Sequence, residues 1–306
     1  MTEKVYFQIR GGVIKYDKVV KIRLDKLGLK KDSTIYLEPI SDEQVGSRLT
    51  DLELIKKRSK AIRNAPNRFT YFGGDQINAI TPADKRWNKD TESLDDPEEQ
   101  RALWQDIHQK LFDVHKEQTI KQVWKTPTTL DISSPYQHEG VNEKIWALLW
   151  GNHEYKINYL TKELLKRQYC IPNKIHFFGA KGMIGLQVMW KNEILHEWSL
   201  AIMHGSGGGT VENMWRLQKQ NQVADWFGCG HLHQRQMKEE LFHRFDFNLG
   251  RWVTSQVILA NVGSFQKVMM PDVDGYMDRK NGIVGTELGT ITTGFNAYEG
   301  KMSCHM

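Results

Sequence analysis

Short apolar runs recur along the chain and predict buried β-strands. Six of them are Thr34–Ile40, Arg68–Phe72, Ile145–Trp150, Trp198–Met203, Val223–Phe227 and Val257–Val262. Largely apolar runs of this length are typical of strands that are covered on both faces. Segments with helical periodicity lie between them, and the apolar residues of one lysine- and arginine-rich segment are Leu49, Leu52, Ile55 and Ile62. Strands that alternate with helices predict an α/β layered fold.

The first 33 residues have a different, basic and β-rich pattern. Two alternating runs flank Gly11-Gly12, which predicts a β-hairpin. We therefore predict that residues 1–33 form an N-terminal β-rich extension. Residues 34–306 would then form the main domain.

Residues 81–143 interrupt the alternation of strands and helices. The segment begins with Thr81-Pro82, and a strongly acidic run (DTESLDDPEE) soon follows. The apolar positions that come next have helical spacing and are Leu103, Ile107, Leu111 and Val114. We predict a helical insertion between two core strands at residues 81–143. Ordinary connecting helices are an equal alternative.

Five of the six apolar runs lead into polar residues of the types that bind metals. These residues are Asp42 with Gln44, then Asp75, then Asn152 in Gly-Asn-His-Glu, then His204, then His231 with His233. In α/β sheets, ligands bind at the carboxyl ends of strands. Carboxylates and imidazoles suit manganese, iron or zinc. Two such ions about 3.5–4 Å apart can bind a phosphoryl group and generate hydroxide at neutral pH.

The order of these motifs resembles that of the calcineurin-like metallophosphoesterases, and the tail suggests a phage-type or nuclease-like member. The resemblance covers roughly residues 34–265. GNHE and GHLH in this order, each behind an apolar strand, are a specific signal, although either alone would be weak. The resemblance implies a two-sheet α/β sandwich flanked by helices, with two divalent metal ions at the strand ends.

The resemblance also implies a role for each site residue. The implied metal ligands are Asp42 and His233 on the first ion, Asp75 as the bridge, and Asn152, His204 and His231 on the second. His153 would not be a ligand. It would protonate the leaving oxygen or stabilise the charge that develops there. Glu154 would hold His153 in its orientation.

Gln44 departs from the family pattern. The first family motif usually reads Asp-x-His, and Gln44 occupies the position of the histidine. An amide oxygen binds hard cations but is a weaker ligand than imidazole for zinc or iron. Gln44 would coordinate a metal, be replaced by water, or leave a weak first site. We favour a functional site that prefers Mn²⁺ or Mg²⁺. Mn²⁺ is the expected ion, with Fe and Zn²⁺ as further alternatives.

The expected reaction is hydrolysis of a phosphate ester by metal-bound hydroxide. We favour a phosphodiester in DNA, RNA or a nucleotide, because the net charge is +5 and ten tryptophans are available for base stacking. The tail around Gly263-Ser264-Phe265 and Tyr276 resembles phage-type members, and Arg279 or Lys280 would contact substrate phosphate or form a solvated surface pair. The alternatives are a phosphomonoesterase and a non-catalytic binding protein with a decayed metal site. The otherwise full ligand set and His153 argue against decay.

The remaining features predict a soluble, cytoplasmic protein. No apolar run approaches the roughly 20 residues that cross a bilayer, and the N-terminus lacks the apolar region of a signal peptide. The three cysteines include no CxxC pair, which indicates a reducing compartment and no disulfide framework. The other histidines are expected to be ordinary hydrogen-bonded residues, and they are His108, His115, His138, His176, His196, His243 and His305.

Overall fold

The computed structural model describes most of the chain. The described residues are 6–9, 12–15, 17–114, 129–131, 143–157, 166–206, 210–221, 224–246, 250–267 and 287–306. In chain order, their elements are β1 (Tyr6–Ile9), β2 (Gly12–Lys15), β3 (Lys18–Arg23), β4 (Thr34–Leu37), α1 (Leu52–Asn64), β5 (Arg68–Phe72), α2 (Pro97–Phe112), β6 (Thr129–Asp131), β7 (Ile145–Leu149), α3 (Asn152–Ile157), a π-helical turn (Lys166–Cys170), β8 (His176–Gly179), β9 (Lys181–Trp190), β10 (Glu193–Met203), α4 (Val211–Asn221), β11 (Trp226–Cys229), β12 (Arg235–Asp246), β13 (Arg251–Val262), β14 (Thr292–Asn296) and β15 (Lys301–His305).

Two mixed sheets form the framework. One has six strands in the order β15-β14-β4-β5-β7-β8, and the other has seven in the order β12-β13-β11-β10-β9-β3-β6. The neighbours β4, β5, β7 and β8 are parallel to one another. In the second sheet, β10, β11 and β13 are also mutually parallel. Parallel strands end at a common edge of their sheet, so the polar residues that follow them are brought together.

An apolar core lies between the sheets. Its largest buried side chains include Trp146 from the six-stranded sheet and Trp226 from the seven-stranded sheet. A second cluster covers the outer face of the six-stranded sheet, where Ile55 of α1 and Trp104 of α2 pack with Phe72. Helix α4 covers the outer face of the seven-stranded sheet. The predicted two-sheet α/β sandwich flanked by helices is confirmed.

Local sequence explains where the two long outer helices begin. The side chain of Asp51 accepts a hydrogen bond from the backbone N–H of Leu54 (3.0 Å), which caps α1. The side chain of Asp96 accepts from the N–H of Glu98 (2.8 Å), and Pro97 occupies the first position of α2. Among the described residues, no helix has the length and apolar character needed to cross a membrane.

The predicted boundary at residue 33 needs correction. Strands β1 and β2 pair as an antiparallel hairpin, as predicted. However, β3 pairs in parallel with both β9 and β6 inside the seven-stranded sheet. Val20 and Ile22 on β3 are fully buried in the core between the sheets. The chain from residue 18 onward is therefore part of the sandwich. Lys18 lies on the same side of β3 as Val20 and Ile22 and is also buried, while Lys21 and Arg23 are less buried.

The segment between β5 and β7 contains one long described helix. Helix α2 packs beside α1 on the outside of the six-stranded sheet, which is the arrangement of the connecting-helix alternative. The short strand β6 pairs with β3 at the edge of the other sheet. The rest of the predicted insertion, residues 115–128 and 132–142, lies outside the described residues.

Candidate metal centre

The predicted ligands lie on loops that leave the two sheets at a shared edge. In the six-stranded sheet, Asp75 follows β5 and Asn152 begins α3 after β7. In the seven-stranded sheet, His204 follows β10 and His231 follows β11. The loops are joined across the sheets, because the backbone N–H of His231 donates to both carboxylate oxygens of Asp42 (3.1 and 3.0 Å).

One half of the cluster consists of Asp42, Gln44 and His233. The Nε2 atom of His233 lies 3.3 Å from Asp42 Oδ1 and 2.9 Å from Gln44 Nε2. A half-turn of the amide would bring the carbonyl oxygen of Gln44 to the same point. Asp42 and His233, which the resemblance implies as ligands of a first ion, therefore converge, and Gln44 faces His233.

The other half consists of Asp75, Asn152, His204 and His231. Potential ligand atoms of Asp75, His204 and His231 all lie within 4.8 Å of one another. His204 Nε2 is 3.3 Å from Asp75 Oδ2 and 3.2 Å from Asn152 Oδ1. The rings of His204 and His231 have centroids 5.4 Å apart. Carboxylate, amide and imidazole groups aimed at one small volume form a donor set that suits divalent transition metals.

Hydrogen bonding leaves the inner nitrogen of His204 available. Its Nδ1 lies 2.9 Å from the backbone carbonyl of Gly73, an acceptor that requires the proton on Nδ1. In the neutral ring, the lone pair of Nε2 would then point at the cluster. A backbone carbonyl commonly fixes the tautomer of a metal-ligating histidine in this way.

Five candidate ligands have left-handed backbone conformations. Their φ angles are 52° at Asp42, 47° at Gln44, 52° at Asp75, 72° at His231 and 55° at His233. Such conformations are uncommon outside glycine, and they concentrate at functional sites where surrounding structure holds them in place.

Two glycines allow the loops to approach closely. A Cβ atom at Gly151 would collide with the carboxylate of Asp75, and one at Gly74 would meet His204 Nδ1 at 2.5 Å. Neither position accommodates a side chain without moving a candidate ligand. This accounts for the glycines in the Gly-Asp and Gly-Asn-His-Glu motifs.

The electrostatics of the cluster favour a bound cation. Burial would raise the pKa of Asp75, but His204 and His153 hold it well below its usual range. Burial would lower the pKa of His204, but the carboxylates of Asp75 and Asp42 raise it to about 10. The two buried carboxylates thus stabilise positive charge placed between them. Their donor chemistry and their charge both fit a divalent metal ion.

His153 lies beside the cluster in a fixed orientation. Its backbone N–H donates to Asp75 Oδ1 (2.9 Å), and its Nδ1 is hydrogen-bonded to the carbonyl of Asn78. Its Nε2 lies 3.8 Å from Asp75 Oδ2 and 3.2 Å from Arg86 Nη1. Burial, together with the positive charge of Arg86, lowers the pKa of His153. A neutral ring therefore presents Nε2 to the space next to the candidate ligands.

Glu154 was predicted to hold His153 in its orientation, and its hydrogen bonds are to backbone N–H groups. It is fully buried, and its carboxylate accepts hydrogen bonds from the backbone N–H groups of Asp75 (3.1 Å), Ile77 (3.1 Å) and Gly151 (2.8 Å). Burial, and then the charge of Asp75, raise its pKa to about 7. Glu154 therefore fixes the two loops that carry candidate ligands, while Asn78 and Arg86 contact the ring of His153.

Another buried carboxylate was missed by the sequence reasoning. Glu43, between Asp42 and Gln44, is fully buried, and its oxygens contact Trp104 Nε1 (2.7 Å) and His108 Nε2 (2.6 Å) on α2. His108 was predicted to have no special role. The available signal was its position four residues after Trp104, on the apolar face of the predicted helix. Arg86 was also missed, since its loop has no periodic pattern.

The remaining prediction concerns contacts to substrate phosphate. Arg279 and Lys280 lie outside the described residues.

Comparisons with known proteins give weak likenesses only. No protein-family model matches the chain, and no curated protein matches its sequence. Among solved structures, a single mutant of Vps29 from Entamoeba histolytica is similar, with 12% identity and a TM-score of 0.33, over 89% of this chain and 97% of that one. Vacuolar Protein Sorting 29 from Cryptosporidium parvum has 10% identity and a TM-score of 0.33, over 90% and 97% of the respective chains. A likeness at this level does not establish a shared activity.

Proposed function

We propose that this chain is a dinuclear metal-dependent phosphoesterase that cleaves phosphodiesters in nucleic acid or nucleotides. One observation carries the proposal. The ligand atoms of Asp75, His204 and His231 converge within 4.8 Å, and the non-ligand ring of His153 lies beside them, with Nε2 3.8 Å from Asp75 Oδ2.

The residues present fit two divalent ions, with Mn²⁺ as the favoured metal. The first ion would be held by Asp42, Gln44 and His233, and the second by Asn152, His204 and His231, with Asp75 between them. Bound ions of this kind lower the pKa of water and neutralise charge on phosphoryl oxygens. A glutamine in place of an imidazole favours a harder ion than zinc at the first position.

His153 would act on the leaving oxygen. Because Nδ1 is committed to the carbonyl of Asn78, the ring can exchange a proton or a hydrogen bond with substrate only through Nε2. The neutral ring carries its proton on Nδ1, so it would act as a general acid only after Nε2 has taken up a proton. Catalysis of this kind typically contributes about 10²–10⁴-fold to a rate. Glu154 would preserve the geometry by holding the loops of Asp75 and Gly151.

An exposed aromatic ring supports a nucleotide substrate. Tyr155 lies two residues after His153 on α3, and its side chain is 68% exposed. Trp150 lies against it, with ring centroids 5.3 Å apart in a T-shaped arrangement. An exposed aromatic ring two residues from His153 in the chain would offer a surface on which a base can stack. The net charge of +5 also favours a polyanionic substrate.

The first test compares two small substrates under saturating Mn²⁺, with chelator as the control. We expect faster, chelator-sensitive cleavage of bis-p-nitrophenyl phosphate than of p-nitrophenyl phosphate. His204→Ala should lose both bound metal and activity, because it removes an imidazole at the centre of the cluster. His305→Ala is the matched control, since this histidine is exposed at the end of β15 and should change neither.

The results also separate the alternatives. A preference for the monoester would favour a phosphatase of proteins or small molecules. Absence of hydrolysis of either substrate at saturating metal would refute the enzyme proposal and favour a non-catalytic binding protein. The nucleotide preference is tested by Tyr155→Ala, which should weaken cleavage of a dinucleotide but spare bis-p-nitrophenyl phosphate. Tyr298→Ala, at a residue that is also 63% exposed, is its control.

A further inference from the structure

Arg86 brings a guanidinium group to the edge of the candidate metal centre. Two of its nitrogens bind the carboxylate of Asp84, with Nε to Oδ1 at 3.0 Å and Nη2 to Oδ2 at 2.7 Å. The remaining nitrogen, Nη1, lies 3.2 Å from Nε2 of His153. The bidentate contact fixes the plane of the guanidinium, so Nη1 is aimed at the ring that faces the cluster.

The loop that carries Arg86 is held at both ends. At its start, the N–H of Ala79 donates to Gln100 Oε1 on α2 (2.7 Å), and Ala79 has a left-handed φ of 55°. At its far end, Thr91 accepts from the N–H of Arg48 (2.9 Å). Asp84 itself accepts from the backbone N–H of Arg86 (2.9 Å). The position of the guanidinium is therefore set by the fold around it.

The side chains of Arg86 and Asp84 are only 12% and 19% exposed. In an exposed surface ion pair, the guanidinium nitrogen that does not contact the carboxylate would be hydrated. Here the outer nitrogen lies 3.2 Å from an imidazole nitrogen, which is a weaker partner than an anionic phosphate oxygen. An entering phosphate group would therefore offer Nη1 a better partner than the one it has.

We propose that Arg86 is a substrate-binding residue whose Nη1 donates to a non-bridging phosphate oxygen beside His153, with Asp84 as the positioning residue that holds it. The proposal rests on the proposed phosphoesterase function and adds a recognition group outside the metal ligands. When the phosphate accepts from Nη1, Nε2 of His153 is released and can face the leaving oxygen.

Two measurements test the role of Arg86, and only one requires turnover. Calorimetric titration with inorganic phosphate measures binding to the Mn²⁺-loaded protein, and kinetics with bis-p-nitrophenyl phosphate separate KM from kcat. For Arg86→Ala we expect about 10- to 100-fold weaker phosphate binding and a similar loss in kcat/KM, as for a lost charge-assisted hydrogen bond. Metal content should not change. Lys85→Ala is the matched control, because it removes the same charge from an exposed neighbour.

Conservative variants test the positioning role of Asp84. Arg86→Lys keeps the positive charge, but a single ammonium group cannot bind Asp84 in a bidentate way and also reach His153. It should therefore bind phosphate more tightly than Arg86→Ala but less tightly than the wild type. Asp84→Asn should raise KM more than it lowers kcat, since the guanidinium remains but loses its anchor. A purely structural pair would instead lower thermal stability in all three variants and leave phosphate affinity intact.

The outcomes distinguish this inference from the proposed function. An active wild-type protein whose Arg86→Ala variant binds phosphate normally would overturn the inference and leave the phosphoesterase standing. An inactive wild-type protein that loses phosphate binding in Arg86→Ala would support the anion site and overturn the enzyme proposal. A wild-type protein that neither turns over substrate nor binds phosphate would overturn both.

Discussion

His108→Leu is expected to destabilise the fold and weaken metal binding together. His108 and Glu43 are fully buried, with Nε2 of the histidine 2.6 Å from Oε1 of the carboxylate. The substitution removes one of the two side-chain donors of Glu43 and leaves the other, Trp104, in place. Leucine has a similar volume, so the cavity contribution is small. Removing one partner of a buried hydrogen-bonded group costs about 1–3 kcal/mol, and more when the group is charged.

The assay is denaturant unfolding followed by tryptophan fluorescence, with and without Mn²⁺. His305→Leu is the control, and at an exposed site it should change the free energy of unfolding by no more than about 0.5 kcal/mol. The His108→Leu variant should also gain less stability from Mn²⁺ than the wild type does, because Glu43 lies between Asp42 and Gln44 in the chain.

A double-mutant cycle isolates the pair. Glu43→Leu combined with His108→Leu removes both polar groups, and the double variant should be more stable than the sum of the two single effects predicts. It will not reach the wild type, since the indole N–H of Trp104 loses its acceptor at a cost of about 1–3 kcal/mol. A loss below about 1 kcal/mol in His108→Leu, or strict additivity in the cycle, would refute the reasoning.

Four further predictions follow from the site and the core. His153→Ala should keep its metal and lose about two to four orders of magnitude in rate; metal analysis with steady-state kinetics checks this, and an unchanged rate removes His153 from the mechanism. Asp75→Ala should lose metal and activity together, and retention of both ions in metal analysis would exclude a bridging role. Gln44→His should raise Zn²⁺ affinity, because it places a second imidazole next to His233; an unchanged titration would mean that residue 44 does not face the ion. Lys18→Met should raise stability near pH 7. Burial lowers the pKa of Lys18 from 10.5 to about 7, so between these values the unfolded state binds more protons and wild-type stability rises with pH. Denaturation curves between pH 7 and pH 10.5 should show the free energy of unfolding rising with pH in the wild type and rising less in the variant. Equal dependence on pH in the two proteins would contradict the lowered pKa of Lys18.

Periodicity predicted the framework well because the apolar runs are also the strands that the two sheets bury. Arg68–Phe72 coincides with β5, and Ile145–Leu149 of the predicted Ile145–Trp150 is β7. The N-terminal boundary was misplaced because β3 mixes basic and apolar residues, which also suits a solvent-exposed hairpin. Only its pairing with β9 shows that its apolar face is covered.

The candidate ligands were predictable because short motifs at strand ends become neighbours in any sheet with parallel strands. The residues that hold the candidate ligands and His153 in position were not predictable in this way. Glu154 binds backbone N–H groups of Asp75 and Ile77, which are remote from it in sequence. Arg86 reaches His153 from a loop 67 residues away. Contacts of this kind depend on loop conformation, about which local composition carries no information.

The division of the candidate ligands between the two sheets has a consequence for assembly. Asp42, Asp75 and Asn152 follow strands of one sheet, while His204 and His231 follow strands of the other. Neither sheet alone can supply a complete coordination sphere. An ion would therefore bind fully only after the two sheets have packed together. The free energy of metal binding would then stabilise the packing of the two sheets against each other. The metal affinity of this protein would thus also report the stability of the packing between its two sheets.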